Sequence, residues 1–240
     1  MRAARAAAAF VEVGLNMAVV CFDFDSTVVK RETLDDAIAE ALAKHPQRER
    51  LVQEVERLTR LGMEGKMNFL ESVRRRLEVV PLSKQLLEER GRAMLQEISD
   101  GIPEIFEWLR SRSHDIHIVS GGFIENIAPV AEVLGIPEDR RHTNRFIYFP
   151  DGSVYGLDEG SLLLTNEGKT PVLRDLRTKY PGETFVMVGD GMNDYRAYES
   201  GAADIFCGFG ANVVREIVKA KSLHFFHTAQ ELLNFFEREL

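Results

Sequence analysis

Residues 19–27, Val19-Val20-Cys21-Phe22-Asp23-Phe24-Asp25-Ser26-Thr27, govern how the rest of the chain is read. Four apolar residues, mostly β-branched or aromatic, have the character of a buried strand. The run stops on two carboxylates separated by one residue. In extended backbone, residues two apart point the same way, so Asp23 and Asp25 crowd onto one side. Carboxylates that close repel, and one keeps its proton unless a cation sits nearby. Ser26 and Thr27 then offer hydroxyls and backbone N–H groups at a strand-to-helix turn, where parallel α/β sheets bind ligands. Taken alone, the stretch reads equally well as a strand end capped by solvated acids. The remainder of the chain decides between the two.

Downstream of this strand, nothing strand-like follows until about Ile98. Leu34–Leu42 has helical spacing behind Thr33, an expected N-cap, with acids in the first turn. Leu51–Leu61, Asn68–Leu77 and Ser83–Ile98 are three further amphipathic runs, the last broken only by Gly91. At Gly101-Ile102-Pro103 the pattern changes to alternation of helix and strand. Glu104–Arg110 is helical, and Ile116–Val119 is a buried strand ending on Ser120-Gly121-Gly122. Ile124–Leu134 is a helix stopped by Gly135. Phe146–Tyr155 alternates about Asp151-Gly152, a hairpin signal. Lys169 opens a helix with Pro171 in its first turn. Thr184–Val188 is a strand ending on Gly189-Asp190-Gly191, Ala203–Cys207 is another, and Glu231–Glu239 is a terminal helix. The expected fold is α/β: a Rossmann-like parallel-sheet core (17–32 and 99–240), an inserted four-helix cap (33–98) and a small β-hairpin.

Bulk properties narrow the function. At 240 residues, 45% hydrophobic and 28% charged, the chain is long enough for a sizeable core. With a net charge of −8 and no basic stripe interleaved with aromatics, it carries no nucleic-acid signature. No apolar run approaches the ~20 residues of a membrane span. Cys21 and Cys207 lie in strand-like runs and read as buried thiols of a reducing compartment, so a cytoplasmic location is expected. His224 and His227 precede Thr228, an expected helix N-cap, and read as structural. Residues 1–16 are Ala-rich with Arg2 and Arg5. A transit segment is one reading; an extension ahead of the core is favoured, since Glu12 interrupts the run and serine is absent.

The chemistry follows from where the strands end. Asp23 and Asp25, then Ser120-Gly121-Gly122, then Asp190, Asn193 and Asp194 would meet along one sheet edge. Three or four carboxylates together call for a hard divalent cation, most simply Mg²⁺. Gly121 and Gly122 let backbone N–H groups approach a phosphate oxygen, Ser120 adds a hydroxyl, and Lys169 adds positive charge. Such a site suits phosphoryl transfer. No serine–histidine pair is ready to act as nucleophile and base, whereas a carboxylate attacks phosphorus directly. Asp23 is the expected nucleophile and Asp25 the acid/base.

Asp23-Phe24-Asp25-Ser26-Thr27, Ser120-Gly121-Gly122-Phe123, Lys169 and Gly189-Asp190-Gly191-Met192-Asn193-Asp194 resemble, in order, the four motifs of the haloacid-dehalogenase-type phosphatases. Within that superfamily the chain is similar to the phosphoserine phosphatase family from about Met17 onward. The resemblance implies Mg²⁺ held by Asp23, the backbone carbonyl of Asp25 and Asp190, with Asp194 supporting the metal waters and Lys169. It implies a phosphate held by Ser120, Gly121, Lys169 and Asn193. In the cap it implies Glu32 at a substrate ammonium, Arg76 at a substrate carboxylate, and Met63 and Phe69 against the substrate. Glu32 reads equally as part of a first-turn acidic cluster, and Met63 and Phe69 as bundle core. Tyr195-Arg196 depart from the apolar residues such a motif leads one to expect. The implied substrate is a small phosphorylated amino acid, acted on by a monomer or homodimer. The alternatives are phosphocholine, phosphoethanolamine, a nucleotide or homoserine, or a receiver-type signalling domain, which lacks a helical insert. Hinges are expected at residues 28–33 and 99–103.

Overall fold

The computed structural model describes residues 17–165 and 167–240. The expected extension at 1–16 lies outside the described residues. The first strand, β1 (Ala18–Phe22), is buried along its whole length. Four helices follow: α1 (Thr33–Ala41), α2 (Arg48–Met63), α3 (Phe69–Leu77) and α4 (Lys84–Ala93). The chain then alternates through α5 (Ile102–Ser111), β2 (Asp115–Phe123), α6 (Ile124–Val133) and β3 (Arg141–Asn144). A two-stranded antiparallel hairpin, β4 (Phe146–Tyr148) and β5 (Val154–Leu157), turns at Asp151-Gly152 as its sequence implies. The last part comprises α7 (Lys169–Lys179), β6 (Thr184–Gly189), α8 (Met192–Glu199), β7 (Ile205–Phe209), α9 (Glu216–Lys221), β8 (His224–Phe226) and α10 (Ala229–Glu239).

Six strands form one parallel sheet in the order β3-β2-β1-β6-β7-β8. The connections run outward in opposite directions from β1 and β6, so a crevice opens where those two strands end. Alternation along β1 serves both faces of the sheet. Val20 and Phe22 join Ile102, Phe106, Ile127 and Phe236 on one side. Val19 and Cys21 join Leu173, Leu176 and Phe206 on the other. A strand covered on both faces is continuously apolar, which is why this one reads so plainly in the sequence.

The four helices after β1 have their own core of Leu34, Ile38, Val55, Val73 and Leu87, extended by Phe146 and Leu157 of the hairpin. The two segments that join this cap to the sheet run side by side. Val29 bridges Ile98, Lys30 N–H donates to Glu97 O (2.8 Å), and Ser99 N–H donates to Val28 O (2.9 Å). The second segment ends at Gly101, whose φ of +80° and whose approach to Ala229, 2.5 Å from where a Cβ would stand, both require glycine.

Some local expectations are corrected. Thr33 is not the N-cap of α1. Glu32 occupies that position, with no side-chain cap, and Thr33 is buried in the first turn. The helix expected to reach Ile98 ends at Ala93 and tightens into a 3₁₀ turn, Met94–Gln96, before the chain recrosses to the core. Thr228 does cap α10, and Glu231 reaches back to its N–H in a capping box. Cys21 and Cys207 are buried and free. No helix among the described residues is long and apolar enough to cross a membrane.

Candidate active site

Asp23 leaves β1 with extended backbone. Its N–H donates to Val188 O (2.8 Å), and its Oδ1 accepts from Phe24 N–H (2.7 Å). The tight turn after it puts Ser26 at φ 56°, a left-handed value that a non-glycine residue adopts only under constraint. The constraint is visible: Ser26 N–H donates to Arg31 O, its hydroxyl donates to Glu32 Oε1 (2.9 Å), and its carbonyl accepts from Asn212 Nδ2 (3.0 Å). Asp190 ends β6 beside β1, and Asp194 lies in the first turn of α8. One carboxylate oxygen from each of Asp23, Asp190 and Asp194 lies within 4.8 Å of the others, and all three residues are buried.

Lys169 enters from the start of α7, where the dipole disfavours a cation. Its Nζ meets Asp23 Oδ1 at 2.8 Å and also pairs with Asp194 Oδ1. Asp194 Oδ2 accepts from Gly191 N–H (2.9 Å), so both of its oxygens are engaged. Ser120 is buried within β2, which runs on through the glycine pair to Phe123, and its Oγ accepts from Gly122 N–H (3.0 Å). Gly121 touches Phe69 of the cap, and a Cβ there would come within 2.6 Å of the ring. One cavity between core and cap is lined by Asp23, Asp25, Ser120, Gly121, Lys169, Asn193 and Asp194 on the core side. Met63, Phe69 and Arg76 line it from the cap.

Glu32 does not line this cavity. It faces the adjoining recess beside α1 with Asp35. Its Oε1 accepts from Ser26 Oγ and from Arg215 Nη2 (2.9 Å), while its Oε2 is buried without a partner. Arg215 Nε donates to Asp190 Oδ2 (2.7 Å), so one guanidinium joins Glu32 to the carboxylate cluster. Arg76 Nη1 donates to Asp35 Oδ1 (2.8 Å) and Thr59 Oγ1 (2.9 Å).

Burial dominates the electrostatics. It pushes Asp25 well above the usual carboxylate range, with Glu32 and then Asp23 adding repulsion. It raises Asp190 against the pull of Arg215, and it raises Asp194 to about 8 against the pull of Lys169. Glu32 rises to about 7 by burial, opposed chiefly by Arg215. Burial works to lower Lys169 and Arg215, but their carboxylate partners outweigh it and hold both pKa values above their ordinary range. Desolvated carboxylates in excess of nearby cations are an oxygen-only donor set that fits a hard divalent ion. Asp25 Oδ1, buried without a partner, is a further sign of a site built to receive something.

Two contributors escape sequence reading. Arg215 lies 183 residues from Glu32 and belongs to no local motif. Asn144, fully buried at the end of β3, donates from Nδ2 to Gly121 O (2.8 Å) and accepts from Ser161 Oγ (2.6 Å), bracing the glycine pair. An isolated asparagine between Thr143 and Arg145 gives no signal for that task.

Comparison with known proteins gives a consistent picture. Residues 17–201 match the family model of the haloacid dehalogenase-like hydrolases. The chain is 33% identical over 218 residues to a phosphoserine phosphatase of Mus musculus, covering 91% of this chain and 92% of the relative. It is 35% identical over 195 residues to one from Methanocaldococcus jannaschii, covering 79% and 85%. Among solved structures, a phosphoserine phosphohydrolase-like protein from Francisella tularensis superposes with a TM-score of 0.83 at 30% identity, over 91% of this chain and 99% of the other. A substrate-bound phosphoserine phosphatase complex superposes with a TM-score of 0.75 at 29% identity, over 91% and 98%.

Proposed function

The chain belongs to the haloacid dehalogenase-like hydrolase family and is a phosphoric monoester hydrolase of the phosphoserine phosphatase type, and from that premise we propose that it hydrolyses O-phospho-L-serine to L-serine and phosphate. The observation that carries the reading is one cavity between core and cap. Asp23, Ser120, Lys169 and Asn193 line one wall, and Arg76, Met63 and Phe69 line the other.

In this reading, Asp23 attacks phosphorus, forming a carboxylate–phosphorus bond as the bond to the serine oxygen breaks. Asp25 gives that oxygen its proton. Water then attacks the phosphoryl group on Asp23 while Asp25 takes a proton from it, restoring both groups. Ser120, the Gly121 backbone, Lys169 and Asn193 hold the phosphoryl oxygens. Arg76 pairs with the substrate carboxylate, while Glu32, set back in the adjoining recess, bears on the site through Arg215 and Asp190. Asp23, the backbone carbonyl of Asp25 and Asp190 would hold Mg²⁺, with Asp194 supporting them. Bound there, the ion offsets charge on the phosphoryl oxygens.

Phosphate release tests this. Wild-type protein turns over O-phospho-L-serine with Mg²⁺ and not with excess chelator, and it outpaces phosphocholine, phosphoethanolamine, a nucleoside monophosphate and phosphohomoserine. Asp23→Asn lowers kcat by about 10³-fold or more with the fold retained. Fast turnover of phosphocholine with none of phosphoserine overturns the substrate assignment, and an active Asp23→Asn overturns the nucleophile.

A further inference from the structure

Arg76 is the one cation that the cap contributes to the cavity wall among the described residues, and its side chain is only 4% exposed. A buried arginine with three carbons of free rotation is neither comfortable nor well aimed unless something fixes it. Three groups do so here, each from a different part of the cap. Asp35 of α1 takes Nη1 at 2.8 Å, Thr59 of α2 takes the same nitrogen at 2.9 Å, and the Ser72 carbonyl, one turn back on α3, takes Nε at 3.3 Å. None of the three uses Nη2. A guanidinium is planar, so fixing Nε and Nη1 also fixes where Nη2 points.

Asp35 and Thr59 stand behind the arginine rather than on the cavity wall. Asp35 opens instead onto the recess beside α1. The carboxylate is mostly buried, so it neutralises Arg76 through a poorly screened contact while no substrate is bound.

We infer that Asp35, backed by Thr59, is a positioning residue for specificity: it holds Arg76 with Nη2 toward the cavity, so that a substrate carboxylate meets a fixed donor rather than a mobile side chain. The inference rests on the proposed role of Arg76 at the substrate carboxylate. It accounts for the position of an acid beside an arginine that is itself meant to bind an acid. The bracket leaves one nitrogen for the ligand and removes the rotamer entropy that binding would otherwise cost.

Phosphoethanolamine is phosphoserine without the carboxylate, so the ratio of kcat/KM for the two substrates reads the contribution of Arg76 directly. Wild type, Asp35→Ala, Asp35→Asn and Thr59→Val are compared by steady-state kinetics, with thermal unfolding of each. Asp35→Ala lowers the ratio about tenfold, chiefly by raising KM for phosphoserine with kcat little moved. Asp35→Asn, which keeps an oxygen acceptor for Nη1, recovers part of the loss. Thr59→Val lowers the ratio about threefold, and with Asp35→Asn it carries the test if the alanine variant unfolds. A wild-type ratio well above one that survives Asp35→Ala and Thr59→Val, with both substrates affected alike, overturns the inference and leaves the substrate assignment standing. A wild-type ratio near one overturns the assignment of Arg76 itself, and this inference with it.

Discussion

Gly189 decides whether the carboxylates can gather at all. A Cβ at that position would lie 2.2 Å from Asp194 Cγ, well inside contact distance. Gly189→Ala therefore forces Asp194 outward and breaks its contact with Lys169. The expected result is a loss of about 100-fold or more in kcat/KM, with about 1–3 kcal/mol of stability lost to overpacking; kinetics and chemical denaturation measure both. The residues of this site divide by how they can be found. Asp23, Asp25, Ser120, Asp190 and Asp194 are legible because each stands at the end of an apolar run, beside other residues of the same chemistry. Arg215 and Asn144 are not, because each acts on a partner more than 20 residues distant and its own neighbours say nothing about it.

Among the elements, α4 sets two local rules against each other. Gly91 sits in the last turn of α4, still within the helix, where alanine would ordinarily stabilise by up to about 1 kcal/mol. Here α4 packs directly on the start of α6, and a Cβ on Gly91 would stand 2.4 Å from Glu125 O. Overlap with backbone is not relieved by a rotamer change, so overpacking at about 1–3 kcal/mol wins. Gly91→Ala should lower the melting temperature by about 2–6 °C, and an unchanged or raised value would show that the two helices can separate. The four cap helices were legible because a 3.6-residue period survives in each. By contrast β3, Arg141–Asn144, and β8, His224–Phe226, are short edge strands without alternation, and no pattern marks them. The end of α4 is masked for a related reason: Met94 and Leu95 continue the apolar period although the backbone has already tightened.

For the molecule as a whole, two regions titrate in opposite senses. On β2 the His117 ring stacks on His142, with Nδ1 3.1 Å from its Nε2. Burial first, then His142, pushes the pKa of His117 down to about 3. The unfolded chain binds this proton near pH 6.5, so the stability His117 provides is complete above that value and is lost progressively as pH falls toward 3. The raised pKa of Asp190 and Asp194 acts the other way, since the folded state then holds protons that the unfolded state has released. The stability difference between wild type and His117→Asn, measured by denaturation at several pH values in metal-free buffer, separates the two. It should shrink as pH drops from 6.5, at up to about 1.4 kcal/mol per unit. A pH-independent difference would place a proton on His117 in the folded state.

The paired crossings at Val29 and Ile98 have a consequence for how such an enzyme can change. Because departure and return lie one strand spacing apart, everything between them is a side branch, and its length is invisible to the sheet. A lineage can lengthen, trim or replace the branch wholesale and still deliver Ser99 and Gly101 to the same places. Innovation in what is recognised is thereby uncoupled from conservation of the reaction itself.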